Sequence, residues 1–191
     1  MIYDLPKRLT ICGEEYEIRT DFREILDVME ILNDTELDNR SRGFLALLYF
    51  YVNFQEMPPE SYQEALKQCF WFINGGKHDD QAKVKAPRLM DWEQDFPYII
   101  APVNRVIGHE IRADDYLHWW TFLSAYMEIG ECTFAQIVHI RDRKNRGKTL
   151  DKSDKEWYSK NQKTVDLKTR YTSTEEEILK QWGGAINPSS G

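Results

Sequence analysis

The residues with the chemistry to act on a substrate are few and scattered. Asp91, Glu93 and Asp95 alternate as the ligands of a calcium loop do. The sixth position of such a loop would be Phe96 where glycine is needed, and the twelfth would be Pro102 where glutamate is needed. These acids read instead as the first turn of a helix, favoured there by the helix dipole and open to pairing with a basic neighbour. His109-Glu110 lacks the second histidine, four positions on, that a zinc-protease helix requires. Cys12, Cys69 and Cys132 are too widely spaced for a zinc site and form no disulfide framework, so a reducing compartment is expected. No Gly-x-Ser-x-Gly elbow, phosphate-cradling glycine loop or dinucleotide fingerprint occurs. His118 falls at the border of an apolar helix face, where a hydrogen-bonded or exposed histidine is expected, because a general base needs a partnered nucleophile. The expectation is a non-enzymatic protein with no catalytic residues, no cofactor and no metal.

Two features suit binding. The first is charge: residues 141 to 170 hold eleven Lys or Arg against five acids, a balance of +6, so the rest of the 191-residue chain carries −13 of the total −7. Eleven cations could neutralise several phosphates, with Trp157, Tyr158 and Tyr171 stacking on bases. The acidic remainder would repel a polyanion, which argues against nucleic acid. A solvated helix and linker, or a docking surface for an acidic protein, another copy of this chain included, fits the asymmetry better. The second feature is the Trp119-Trp120 doublet. Adjacent indoles point about 100° apart on a helix, so one core wall holds both only in part, and one could reach a partner, where Trp is a favoured anchor. The candidate partner-binding residues are therefore Trp119, Trp120, Arg141, Arg143, Lys144, Arg146, Trp157 and Tyr158.

Most of the elements that must position these residues are helical. Arg8 to Cys12 and Glu15 to Ile18 alternate around Gly13-Glu14, which predicts a β-hairpin over about residues 5 to 20, lying on a helical surface or against a partner. Asp21 with Glu24 then makes a capping box for a helix presenting Phe22, Ile25, Leu26, Met29 and Leu32 and ending at Asn33-Asp34. A second helix is expected over about 39 to 54, buried on nearly all sides because Phe44 to Phe54 is almost wholly apolar. That apolar run spans about 16 Å as a helix, too short to cross a bilayer. A third opens at Pro58-Pro59, with Ser61 and Glu64 as its box, and stops at Gly75-Gly76. After a polar loop to about residue 90, Pro97 and Pro102 predict a short turn, a kink and a second piece ending near Gly108. Asp114 is expected to cap a helix carrying Trp119 and Trp120 as far as Gly130, and Thr133 to start another. A last short helix is expected over about 174 to 182, before a frayed tail.

With 41% hydrophobic and 30% charged residues, ten Gly and seven Pro, the composition is that of a folded protein and not of a disordered or collagenous one. The first ten residues hold no apolar run after their charges, so no signal peptide is expected. The fold class expected is mainly α: a helical bundle of about six to eight helices with a short N-terminal hairpin and a basic, loosely packed C-terminal appendage. The division falls between an acidic helical domain over 1–140 and the appendage over 141–191.

Several local motifs occur in a telling order. Phe22-Arg23-Glu24-Ile25-Leu26 follows the hairpin, then Trp71-Phe72-Ile73-Asn74-Gly75-Gly76, Asp91-Trp92-Glu93-Gln94-Asp95, His118-Trp119-Trp120-Thr121-Phe122 and Gln136-Ile137-Val138-His139-Ile140-Arg141. This resembles, over about residues 5 to 150, the phage "gene product fifteen" family of siphophages and prophages of Gram-positive bacteria. The resemblance implies a tail-morphogenesis protein and no enzyme. The genes of that family lie between those of the major tail protein and the tape measure protein, where tail assembly chaperones are encoded. Such chaperones coat the tape measure helix, recruit tail-tube subunits and are absent from the virion. The resemblance thus implies the tape measure protein and the major tail protein as partners, in the host bacterial cytoplasm; self-association is a separate reading that the charge asymmetry leaves open. It carries over no catalytic or ligand residues. The alternative is a structural or connector component retained in the virion.

Overall fold

A computed structural model describes residues 4–77 and 87–168. The hairpin pairs β1 (Arg8–Ile11) with β2 (Glu14–Glu17) in antiparallel register, Leu9 opposite Tyr16. Its two-residue turn is Cys12-Gly13, one position earlier than the sequence suggested. Both have positive φ, 50° and 94°, as the primed turns that match strand twist require. Leu9, Ile11, Tyr16 and Ile18 are buried, so the hairpin lies on the helical surface.

The chain then enters α1 (Phe22–Asn33), where the Asp21 side chain accepts from the Arg23 amide. Glu24 does not complete a capping box but receives the Arg19 guanidinium at 2.8 Å. The second helix, α2 (Asn39–Phe50), starts from an Asp38 cap and stops four residues before the expected end. Tyr51 bridges Ile18, and Val52 donates to the Glu17 carbonyl, so the hairpin captures the backbone that would have continued the helix. Nor is α2 buried all round, since Phe44 and Leu48 are more than 40% exposed.

A 3₁₀ turn over Pro59–Ser61 leads into α3 (Tyr62–Ile73), with Ser61 itself helical and making no side-chain cap. The expected polar loop over 75 to 90 falls mostly outside the described residues, and the helix expected over 174 to 182 falls wholly outside them.

The largest departure from expectation is α4 (Trp92–Ile107), one unbroken helix with Pro97 and Pro102 inside it. Each proline removes one amide donor, normally a costly loss in a helix interior. Two anchors hold the helix on either side of these breaks. At its start, the Asp91 carboxylate accepts from the Gln94 amide while the Asp95 carboxylate accepts from the Asp91 amide. Further along, Ile99, Ile100 and Val103 are buried in the core. Gly108, at φ 95°, ends the helix as expected.

Next, α5 (Trp119–Met127) is capped not by Asp114 but by His118, and α6 (Thr133–Asn145) and α7 (Lys152–Val165) complete the fold. The protein is mainly α, with seven α-helices among the described residues and one two-stranded hairpin. No helix among the described residues is long and apolar enough to cross a membrane.

One apolar core runs from the hairpin through α1 to α5 and reaches Phe134 at the start of α6. Each large apolar side chain fully buried there contributes about 1.5–3 kcal/mol. Residue 141 falls inside α6, and α7 packs beside α6 with Asp154 and Val165 buried while most of its lysines stay exposed. Charge alone suggested the boundary, whereas a few buried anchors (Arg141, Asp154, Val165) decide the packing.

Candidate partner-binding surface

The eight candidate residues fall into two separate groups. Trp119 and Trp120 sit at the C-terminal end of α3. A helix leaves its last carbonyls without intrahelical donors. Here the Trp119 indole donates to the Ile73 carbonyl at 2.9 Å and the Trp120 indole to the Phe72 carbonyl at 2.8 Å. Gly76 makes the fit possible: its φ is 81°, and a Cβ there would lie 2.9 Å from the Trp120 ring. Trp119 is 1% exposed and presents no surface to a partner, while Trp120 keeps an exposed edge.

His118 supports the same corner. Its Nδ1 accepts from the Trp120 amide at 3.0 Å, which leaves the proton on Nε2, 3.0 Å from the Pro6 carbonyl. Burial lowers its pKa, helped by the nearby Lys7 charge and opposed by the Pro6 hydrogen bond. It is a helix cap with both ring nitrogens committed to hydrogen bonds. The sequence signal for this was the residue immediately before Trp119-Trp120, read there only as a border position.

The second group lies on α6 and α7. Arg141 is 4% exposed and clasps the fully buried Asp95 with both terminal nitrogens, at 2.6 and 2.9 Å. Its remaining donors reach the Leu89, Thr164 and Val165 carbonyls. This guanidinium ties the entry to α4, the body of α6 and the end of α7 together, and offers nothing to a partner. Lys144 and Tyr158 are brought together around Asp166, with Lys144 Nζ 2.6 Å from both the Tyr158 hydroxyl and Asp166 Oδ1. Arg146 pairs with Asp142, Arg143 donates to the Thr149 carbonyl, and Trp157 is half-buried.

Asp91 and Asp95, two of the three alternating acids, are thus spent on capping α4 and holding Arg141. Among the described residues no group of three or more His, Cys, Asp or Glu stands together as metal ligands would.

Sequence reasoning did not find the cleft between α1 and the start of α4. Its volume is about 650 Å³. One wall is the apolar ladder Phe22, Leu26 and Met29 on α1, and the other is Met90, Trp92 and Phe96. Asp27 and Glu30 on α1, with Glu93 on α4, stand on its lips. The ladder was legible as the apolar face of α1, but only α4's position shows that this face is left partly open. A second apolar patch joins Phe44 of α2 to Phe54 and Tyr62, with ring centroids 5.4 and 6.2 Å apart.

The chain belongs to the Bacteriophage Gp15 protein family, whose model matches residues 1–167. The match continues through α7, so the docked basic helix lies within the family's extent. It is a bacteriophage structural or morphogenesis protein. No curated protein and no solved structure matches it.

Proposed function

We propose that this protein is a non-enzymatic tail assembly chaperone, which binds the tape measure protein in the host cytoplasm before tube assembly and helps recruit tail-tube subunits. The observation that carries the reading is the open cleft beside the α1 ladder. A tape measure protein must stay dispersed as a long amphipathic helix until the tube encloses it. A groove walled by two helices suits the i, i+3, i+4, i+7 anchors of such a helix. The many modest contacts of a small groove, repeated along a long partner, also give a coat that can be removed.

The test is co-expression with the tape measure protein of the same phage and measurement of the soluble complex by light scattering. Several copies on one otherwise insoluble partner are expected. An aggregated tape measure beside free 22.7 kDa protein would overturn the reading, and fixed stoichiometry in purified virions would favour a retained structural component. Recruitment is assigned to the C-terminal segment. Because Arg141 and Val165 are part of the packed structure, the informative truncation is placed beyond them, after Lys168. It should leave tape-measure binding intact and abolish recruitment.

A further inference from the structure

The charges around the α1–α4 cleft select among possible helices. Along α1 the apolar ladder of Phe22, Leu26 and Met29 spans about 10 Å, roughly two helical turns, with Asn33 lining the cleft one turn further on. A cavity of about 650 Å³ holds the anchoring side chains of a helix laid along it while the backbone rides above. Two of its apolar walls are methionines, Met29 and Met90, whose flexible side chains adapt to varied anchors.

The lips are not neutral. Two arginines line the cleft, but Arg23 is turned to the Asp114 carbonyl at 2.6 Å and to Asp21, and Arg88 is paired with Asp91. Asp27 and Glu30 are exposed on the α1 lip, and among the described residues neither has a cationic partner. Among the described residues Asp27 accepts only the Tyr49 hydroxyl, at 2.9 Å. The cations lining the cleft among the described residues are therefore paired within the protein, and the α1 lip carries two exposed carboxylates.

We propose that the α1–α4 cleft is a docking site for an amphipathic helix whose apolar anchors are flanked by lysine or arginine. This deepens the chaperone reading by giving the chemistry of the partner segment, and it is testable without the tape measure protein. Charge pairing across such a rim governs encounter and discrimination more than total affinity.

The probes are two synthetic helical peptides of about four turns with the same leucine spacing, one flanked by lysines and the other by glutamates, titrated into the full chain by calorimetry. The lysine peptide should bind about tenfold more tightly at low salt, with the gap narrowing as salt rises. Glu30→Lys with Asp27→Lys should erase the preference, and Leu26→Ala should weaken both peptides. The lip residues are exposed, so the charge variants test the site even if Leu26→Ala perturbs the fold. Leu48→Ser, at an exposed apolar position of α2 outside the cleft, should change nothing.

Equal affinities, no binding, or sensitivity to Leu48→Ser but not to the lip variants would each overturn the proposal. Peptide selectivity without tape-measure co-purification would sink the chaperone reading and leave the cleft. Co-purification unaffected by the lip variants would do the reverse.

Discussion

Around Trp119 the helices meet through rings, whereas around Arg141 they meet through one charged group and the carbonyls it reaches. In the first region Phe22 stacks on Phe122 at 4.9 Å, Trp119 on Phe122 at 5.5 Å, and Trp92 lies edge-on to Trp119 at 6.0 Å. In the second, α7 contributes little apolar surface, with Val165 its one fully buried apolar residue. Trimming one ring leaves an apolar cavity that its neighbours can partly fill. Breaking a buried ion pair instead leaves the other partner charged and dehydrated. The docking of α7 therefore rests on fewer and less replaceable contacts than the aromatic centre.

Arg141→Ala puts that comparison at greatest risk. It should cost about 3–5 kcal/mol in chemical denaturation, because Asp95 would be left buried without its partner. Hydrogen exchange should show α7 loosening before α1 to α3. A loss below about 1 kcal/mol, with α7 still protected, would show that the clasp is not what docks the segment. The double variant Asp95→Asn/Arg141→Met sharpens the point. Replacing an ion pair by neutral groups is often tolerated, but here the Leu89, Thr164 and Val165 carbonyls would also lose their donor. The double variant should therefore stay clearly less stable than the parent.

On the aromatic side, Gly76→Ala should cost about 1–3 kcal/mol, since it puts a side chain at φ 81° and drives a methyl group against the Trp120 ring. The expected readout is a lower thermal midpoint with a changed tryptophan spectrum and α7 protection intact. If α7 loosened equally, the two regions would be one cooperative unit and the contrast would fail.

His118 offers a reversible version of the same perturbation. Its pKa is lowered from the ordinary 6.5, so the unfolded chain takes up a proton before the folded one does. Stability is then fully present above pH 6.5 and falls as the pH drops through the folded value. The proton would arrive on Nδ1, where the Trp120 amide already donates. Asp21, bridged to His118 through the backbone, stands nearby with its carboxylate held by the Arg23 and Leu117 amides and beside the Arg23 guanidinium, and Lys7 adds a positive charge. Denaturant midpoints measured from pH 7.5 to 5 should decline in the parent and decline less in His118→Asn, which keeps a capping side chain but does not titrate.

What the sequence revealed follows from the range of the forces involved. Asp21, the α1 apolar face and Gly108 act over a turn or two, and each was legible. The end of α2 was not, because the hairpin far behind it captures Tyr51 and Val52. The continuity of α4 was not, because its prolines argue locally for a break while Asp95 and its buried isoleucines hold it from outside. The same limit governed the candidate residues. A run of cations reads as a patch, yet Arg141 is the most buried charged group of α6 and α7, and only the partner at Asp95, 46 residues away in sequence, explains it. The α1–α4 cleft was the least legible of all, since a groove is the space two elements leave unfilled.

The smallest expected effect lies at the exposed end of the polar region. Lys144, Tyr158 and Asp166 form a tight cluster in which partial burial opposes both charges and the mutual hydrogen bonds outweigh it, raising the lysine pKa and lowering the aspartate's. The aspartate's contribution is present above its unfolded value of 3.8 and lost as the pH falls through the folded one. The lysine's is present below 10.5 and lost as the pH rises through the folded one. Both groups are substantially exposed, so Lys144→Ala should cost no more than about 1 kcal/mol near neutral pH, and less at high salt. Set beside Arg141→Ala on the same helix, this variant separates burial from charge: the same loss of one cation should matter little at residue 144 and severely at residue 141. Comparable losses at the two positions would mean that the net charge of the segment, and not the buried clasp, keeps α7 in place.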